Sequence, residues 1–217
     1  MDRVPFSEYD LTGKVAIVTG AGRGMGFHIA LALAKYGADL VVCSRTVSEL
    51  EKLGKEIEKF GRRVLIQQMD VTKIPEVHAM VEQSMEAFGH IDILVNNAGV
   101  NITQWAVDVT EEAWDRVVDT NLKALFFCAQ AVGKVMIRQR KGKIINISSQ
   151  TGTIAIPQRA AYCSSKGGGN QLTKLLAIEW AQYNINVNAI APTLSNSDTV
   201  RLETTRSAPY LAKAKAM

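Results

Sequence analysis

Cysteine is scarce in this chain of 217 residues: only Cys43, Cys128 and Cys163 occur, far apart and odd in number. No Cys-x-x-Cys pair is present and no histidine neighbours any of the three, which argues against a disulfide frame or a zinc site. His28, His78 and His90 are equally scattered, so no metal is expected. Blocks of lysine and arginine are missing, as is any interleaving of basic with aromatic residues, and a net charge of +4 is mild. A nucleic-acid surface is therefore not expected, although this balance suits an anionic small molecule. No apolar run approaches the length needed to span a bilayer, and residues 1–12 lack the cationic-then-apolar pattern of a signal peptide. The expectation is a reducing, cytoplasmic setting with no membrane partner.

What remains is an ordinary globular composition, 47% apolar and 21% charged, with enough chain for one sizeable core. Short β-branched runs alternate with helical spacing. Val15-Ala16-Ile17-Val18-Thr19 reads as a strand buried on both faces, and the apolar spacing of residues 27–36 as a helix ending before Gly37. Asp39 to Ser44 is a second strand. Residues 47–60 form an amphipathic helix with Leu50, Leu53 and Ile57 on one face and Gly61 as its stop. Val64 to Met69 is a third strand, followed by a helix from Pro75 to Phe88. Ile91 to Val95 is the fourth strand, and a long helical pattern reaches from Thr110 to Gln139. Strand five is 143–148, the next helix runs to Tyr183, and Ile185 to Ile190 is strand six. Alternation this regular predicts an α/β fold of Rossmann type: a doubly wound parallel sheet in the order 3-2-1-4-5-6, in three αβα layers. Such sheets bind ligands at the carboxyl ends of their strands. Gly20, Ser44, Arg45, Asp70, Asn96 and Ser149 all fall there.

Two groups carry chemistry. The first is Gly20-Ala21-Gly22-Arg23-Gly24-Met25-Gly26, set between a strand and a helix. Glycine lets backbone approach a pyrophosphate, and the helix amino end offers free N–H groups and a positive dipole. The second is Tyr162 and Lys166, one helical turn apart on a shared face, with Ser149 thirteen residues before the tyrosine at a strand end. A hydroxyl, a phenol and an ammonium in one small volume can move a proton onto or off an oxygen. Tyr-x-x-x-Lys alone is common packing; it gains force from the glycine turn at the same sheet edge. Ser148 competes with Ser149, but adjacent strand-end residues point in opposite directions, so one of the two faces the site.

These residues resemble the short-chain dehydrogenases/reductases over roughly residues 12–200. Thr19 to Gly26 matches the family's cofactor turn, Asp70 its adenine-side acid and Asn96-Asn97-Ala98-Gly99 its strand-four motif. Asn121, Ser149, Tyr162 and Lys166 match its catalytic four in order and spacing, and Val187 to Pro192 the segment that reaches the nicotinamide. The resemblance implies an oxidoreductase acting on a carbonyl or secondary alcohol, most simply reduction of a small or medium ketone. Tyr162 would be general acid, Lys166 would lower its pKa and hold the nicotinamide ribose, and Ser149 would hold the substrate oxygen. Asn121 would anchor a water in the proton path. The implied cofactor contacts are Gly20, Arg23, Gly24, Met25, Gly26, Ser44, Arg45, Asp70, Val71, Asn97, Ala98, Gly99, Tyr162, Lys166, Pro192 and Ser197. A 3-oxoacyl thioester is the alternative substrate, and a non-catalytic NADPH-binding regulator or scaffold the alternative function.

An acid at the end of strand two would favour NAD by binding its 2′-hydroxyl. Ser44 is neutral there and Arg45 follows, with Arg23 in the glycine turn, so NADP(H) is expected. Trp105, Ile154, Ile156, Gln158 and Leu194 are expected to wall a mostly apolar pocket. Pro192-Thr193 departs from the family's usual Pro-Gly, and Ser197 is expected to replace its carboxamide-binding threonine. The whole of 1–217 reads as one catalytic domain. Residues 193–217 read as a substrate lid followed by an end that is truncated or incomplete, without the family's seventh strand. The helices at 111–139 and 160–183 resemble those that pair family members into homodimers and homotetramers.

Overall fold

The structure is a computed structural model and describes residues 9–193. Six strands form one sheet in the order β3-β2-β1-β4-β5-β6. They are β1 (Val15–Thr19), β2 (Asp39–Ser44), β3 (Val64–Gln68), β4 (Ile93–Asn96), β5 (Gly142–Ile147) and β6 (Ile185–Ile190). Every neighbouring pair is parallel, so every connection is a crossover carrying helix. The helices are α1 (Gly24–Lys35), α2 (Val47–Glu58), α3 (Ile74–Phe88), α4 (Glu111–Val118), α5 (Ala124–Gln139) and α6 (Ala160–Trp180).

Strand β1 shows how the sequence makes three layers. Its successive side chains point to opposite faces. Val15 and Ile17 pack with Val77, Met80, Val132, Met136 and Leu176 from α3, α5 and α6. Ala16 and Val18 pack with Ala30, Ala34, Leu50, Leu53 and Ile57 from α1 and α2. Because both faces are covered, no polar residue is tolerated until Thr19, whose hydroxyl has partners across the strand ends. Cys43 and Cys128 lie in the same core, where burial pushes both thiols up, Cys128 to about 12. Among the described residues no helix is long and apolar enough to cross a membrane.

The strand order is the expected one, with differences at element ends that have local causes. The pattern read as one helix over 111–139 is broken by a π turn, Asp119–Lys123, between α4 and α5. Strand β4 begins at Ile93 and not at Ile91, because the Gln139 side-chain amide takes both backbone groups of Ile91. Ile91 N donates to Oε1 at 3.1 Å, and Nε2 donates to Ile91 O at 2.8 Å. The helix carrying Tyr162 ends at Trp180 and tightens into a 3₁₀ turn, Ala181–Tyr183, before Asn184 takes a φ of 58°.

Candidate active site

The loops after β1 to β5 meet at the carboxyl edge of the sheet around a cavity of ≈ 920 Å³. Its floor is the β1–α1 turn. Gly20 has a φ of +64°, and a Cβ there would stand 2.8 Å from Ala98 Cα, so only glycine fits between the two loops. A Cβ on Gly26 would meet Gly20 O at 2.4 Å, which is why α1 can start this close under the turn. Arg23, at the N-cap of α1, makes no capping bond through its side chain. The N-cap residue thus leaves the amino end of α1 open to a ligand, the arrangement that binds phosphate.

The strand-four loop is fastened to this turn. Asn97 Nδ2 donates to Thr19 O at 3.0 Å and to Gly20 O at 3.1 Å, while Thr19 Oγ1 accepts from Asn97 N and Ala98 N. Asn96 points the other way, into the core, where Nδ2 donates to Asn146 Oδ1. At the β2–β3 end, Ser44, Arg45, Asp70 and Val71 line the cavity. Burial works to raise the Asp70 pKa. Hydrogen bonds from Thr72 N and Oγ1, with the charges of Arg45 and Lys73, outweigh it and hold the carboxylate below its ordinary range.

At the opposite end, Lys166 is only 6% exposed, and its Nζ donates to Ile147 O at 2.7 Å. Nζ lies 5.6 Å from the centroid of the Tyr162 ring. Desolvation lowers the Lys166 pKa to about 8. Asn121, in the π turn and 1% exposed, is spent on positioning. Its Oδ1 accepts from Val100 N at 2.8 Å, and its Nδ2 donates to Val100 O and Ser165 Oγ. A Cβ on Gly99 would come within 3.3 Å of Asn121 Oδ1 and 3.8 Å of Lys166 Nζ. The strand-four loop, the π turn and α6 therefore converge on one point.

The two serines diverge as alternation requires. Ser148 Oγ donates to Asn170 Oδ1 at 2.6 Å, and Asn146 Nδ2 donates to Thr173 Oγ1 at 2.9 Å. These two bonds run from the residues on either side of Ile147 to positions three apart on α6, and fasten the helix to β5 next to the Lys166–Ile147 contact. Ser149 Oγ accepts from Thr151 N at 3.2 Å and caps a 3₁₀ turn at Gln150–Gly152.

Of the expected cofactor residues, Gly20, Arg23, Gly24 and Met25 line the cavity, as do Ser44, Arg45, Asp70 and Val71. Asn97, Ala98, Gly99, Tyr162 and Lys166 do so as well. Gly26 acts from beneath the turn, and Pro192 O accepts from Gln150 N away from the lining. Ser149 does not line the cavity, whereas Ser148 does. The expected substrate wall is not where the cavity has its wall. Trp105 and Ile154 are 52% exposed, and neither they nor Ile156 nor Gln158 line it. Leu194 and Ser197 lie outside the described residues. Instead Asn101, Ile102, Arg116, Asp119, Thr120 and Arg159 do; none of them was singled out from the sequence, where Arg159's place three residues before Tyr162 could have pointed to it. Among the described residues no group of His, Cys, Asp and Glu could hold a metal.

A doubly wound sheet with a glycine turn at the uncapped amino end of its first helix defines a dinucleotide-binding protein. The pinned strand-four loop and the Tyr-x-x-x-Lys helix narrow the class. Residues 14–207 match the family described as short chain dehydrogenase, and the chain belongs to it. It is 41% identical to the 2-dehydro-3-deoxy-D-gluconate 5-dehydrogenase of Escherichia coli strain K12, over 97% of this chain and 84% of that protein. It is also 41% identical to the 3-oxoacyl-[acyl-carrier-protein] reductase FabG of Staphylococcus epidermidis, over 85% of this chain and 76% of the relative. Among solved structures, NAD+-bound xylitol dehydrogenase superposes with a TM-score of 0.83 at 36% identity, covering 85% of this chain and 71% of that one. The chain is therefore a short-chain oxidoreductase that works with a nicotinamide dinucleotide.

Proposed function

We propose that this protein reduces the carbonyl of a small or medium ketone, or oxidises the matching secondary alcohol, with NADP(H) as cofactor and Tyr162 as the general acid. One observation carries the reading: the desolvated Lys166 ammonium stands beside the Tyr162 ring in the cavity that the glycine turn opens into. The dinucleotide, when bound, supplies or accepts the hydride. Gly20, Gly24 and the α1 amino end suit its pyrophosphate, and Asp70 and Val71 its adenine side. Tyr162 gives its proton to the substrate oxygen, and the positive charge of Lys166 stabilises the phenolate left behind. Ser149 is assigned to hold that oxygen as charge develops by its place thirteen residues before Tyr162, although its hydroxyl lies outside the cavity lining and accepts from Thr151 N. Asn121 keeps the Gly99–Val100 backbone against α6, and a water relaying protons to Lys166 would be held from its side.

Arg23 and Arg45 beside the neutral Ser44 favour a 2′-phosphate over a 2′-hydroxyl. Glu49 opposes them, since its Oε2 would stand 2.6 Å from a Cβ on Gly22, but one carboxylate faces two guanidinium groups. Arg45→Asp is expected to invert the NADPH-to-NADH ratio of kcat/KM; an unchanged ratio contradicts the NADP reading. Leu175 and Ile178 on α6 are exposed, Ile178 by 77%, and a second copy would cover them, giving a homodimer or homotetramer. The buried free thiols suit a cytoplasmic enzyme. The reaction is tested by following NADPH absorbance with a panel of ketones that includes a 3-oxoacyl thioester, the substrate class of the staphylococcal relative. Turnover of a ketone supports the reading, and turnover of the thioester alone moves it to acyl reduction. Tight NADPH binding with no turnover would instead mark a non-catalytic regulator.

A further inference from the structure

We infer that the substrate carries a carboxylate, and that Arg159 recognises it. This rests on the reductase reading and names its substrate class. The cavity is lined by the cations Arg23, Arg45, Arg116, Arg159 and Lys166 and by the acids Glu49, Asp70 and Asp119. Arg23 and Arg45 belong to the glycine turn and the β2 end, and Lys166 belongs to the proton relay. Asp119 is paired with Lys123 at 3.2 Å, and Glu49 lies against the glycine turn. Arg116 and Arg159 both lie outside the glycine turn and the β2 end, and of the two Arg159 is the one at the start of the helix that carries Tyr162. It sits one helical turn before Tyr162, so a group bound there spans a few bonds from the reacting carbonyl.

The local structure is built around that arginine at a cost. Arg159 occupies the N-cap of α6 and makes no capping bond through its side chain. Serine, threonine, aspartate and asparagine are the favoured residues there, and a cation at this end opposes the helix dipole. The residue before it, Gln158, has a φ of 64°, a conformation uncommon outside glycine. Gln104 pairs with this corner, its N donating to Gln158 O at 3.0 Å and its backbone bridging Arg159. A strained corner, held by a second loop and ending in an arginine where helix propensity disfavours one, marks a position kept for a ligand. A guanidinium has five donors, so it can fork onto a carboxylate while keeping a protein partner. Asn101, also in the lining, has a buried Oδ1 without a hydrogen-bond partner, an acceptor suited to a substrate hydroxyl. A hydroxylated keto acid satisfies both groups. The Escherichia coli relative is named for a substrate of this chemistry.

The test compares 5-keto-D-gluconate with L-sorbose, which differ only in a terminal carboxylate against a hydroxymethyl group. Binding to the NADPH complex is measured calorimetrically in the Tyr162→Phe protein, where turnover does not interfere. The keto acid is expected to bind about 10-fold to 100-fold more tightly than the neutral sugar. Arg159→Asn in the same background, which gives α6 a favourable N-cap and so keeps it folded, is expected to abolish the difference, and Arg159→Lys to keep part of it. Equal binding of the two sugars, no binding of either, or an equal loss for both on Arg159→Asn overturns the inference. Failure of the underlying reading looks different: the wild type then turns over no neutral ketone and no keto acid.

Discussion

Lys166 and Asp92 are the two charged side chains buried among the described residues, 6% and 8% exposed, and they sit at opposite ends of the same sheet. Asp92 stands at the amino edge, just before β4, and is saturated. Its Oδ2 accepts from Val15 N at 3.0 Å and meets His90 Nε2 at 3.2 Å, while Lys14 and Lys141 approach Oδ1 at 3.6 and 3.7 Å. Lys166 stands at the carboxyl edge with a single carbonyl, Ile147 O, as its short hydrogen-bond acceptor. A buried charge surrounded by partners ties strands together; one left short of them keeps a perturbed pKa and is ready to interact with something else. The two ends of this sheet are therefore built to different ends, the amino edge for stability and the carboxyl edge for chemistry.

Mutation can break that contrast. Lys166→Met is expected to reduce kcat/KM by about 10²–10⁴-fold, the range of acid–base catalysis, while leaving the folded state intact by circular dichroism. Asp92→Ala should do the reverse. It strips the buried Val15 N–H of its acceptor and leaves three basic side chains facing one another, costing about 1–3 kcal/mol. For a chain of this size that lowers Tm by roughly 2–4 °C per kcal/mol, with kcat unchanged. Loss of activity in the Asp92 variant at temperatures where it is folded would erase the distinction.

Smaller effects sharpen it. The folded-state pKa of Lys166, about 8, lies below its ordinary value of 10.5. Between those values the unfolded chain binds a proton that the folded chain does not, so Lys166 makes stability rise with pH across the window. Below pH 8 its cost is present in full. Subtracting the urea-unfolding stability of Lys166→Met from that of the wild type should expose this rise between pH 8 and pH 10.5; a flat difference contradicts the burial argument. Removing the Ser148–Asn170 clamp with Asn170→Ala should lower kcat severalfold and barely change NADPH affinity, since it loosens α6 against β5 without touching the glycine turn. Steady-state kinetics with cofactor titrations separate the two.

The carboxyl edge was largely legible from residue types and spacing because its demands fall on backbone and short range. A glycine turn between a strand and a helix, a neutral strand-two end and a four-residue Tyr–Lys spacing are all local patterns, and they fell where the doubly wound order put them. The amino-edge cluster was not legible. Asp92 pairs with Lys14, His90 and Lys141, and the last is forty-nine positions away, with no periodicity to announce it. The π turn around Asn121 was hidden for a related reason. It is shaped by the Val100 backbone, whereas the apolar spacing of 111–139 reads as unbroken helix. Alternation says only that Ser148 and Ser149 point in opposite directions; the bond from Ser148 to Asn170 appears once α6 is docked on β5. The placement of Trp105 and Ile154 outside the cavity was not legible, because hydrophobicity marks a pocket no better than it marks a surface. Trp105 and Ile154 are exposed, and Arg159 lines the cavity.

The central claim is that the carboxyl edge is a proton relay ending at Tyr162, and one paired measurement tests it most directly. NADPH affinity and ketone-dependent NADPH oxidation are determined side by side for the wild type and Tyr162→Phe. The account predicts affinity within a few-fold of wild type and turnover lower by about 10²–10⁴-fold. Equal turnover in the two proteins, or affinity lost together with turnover, would contradict it.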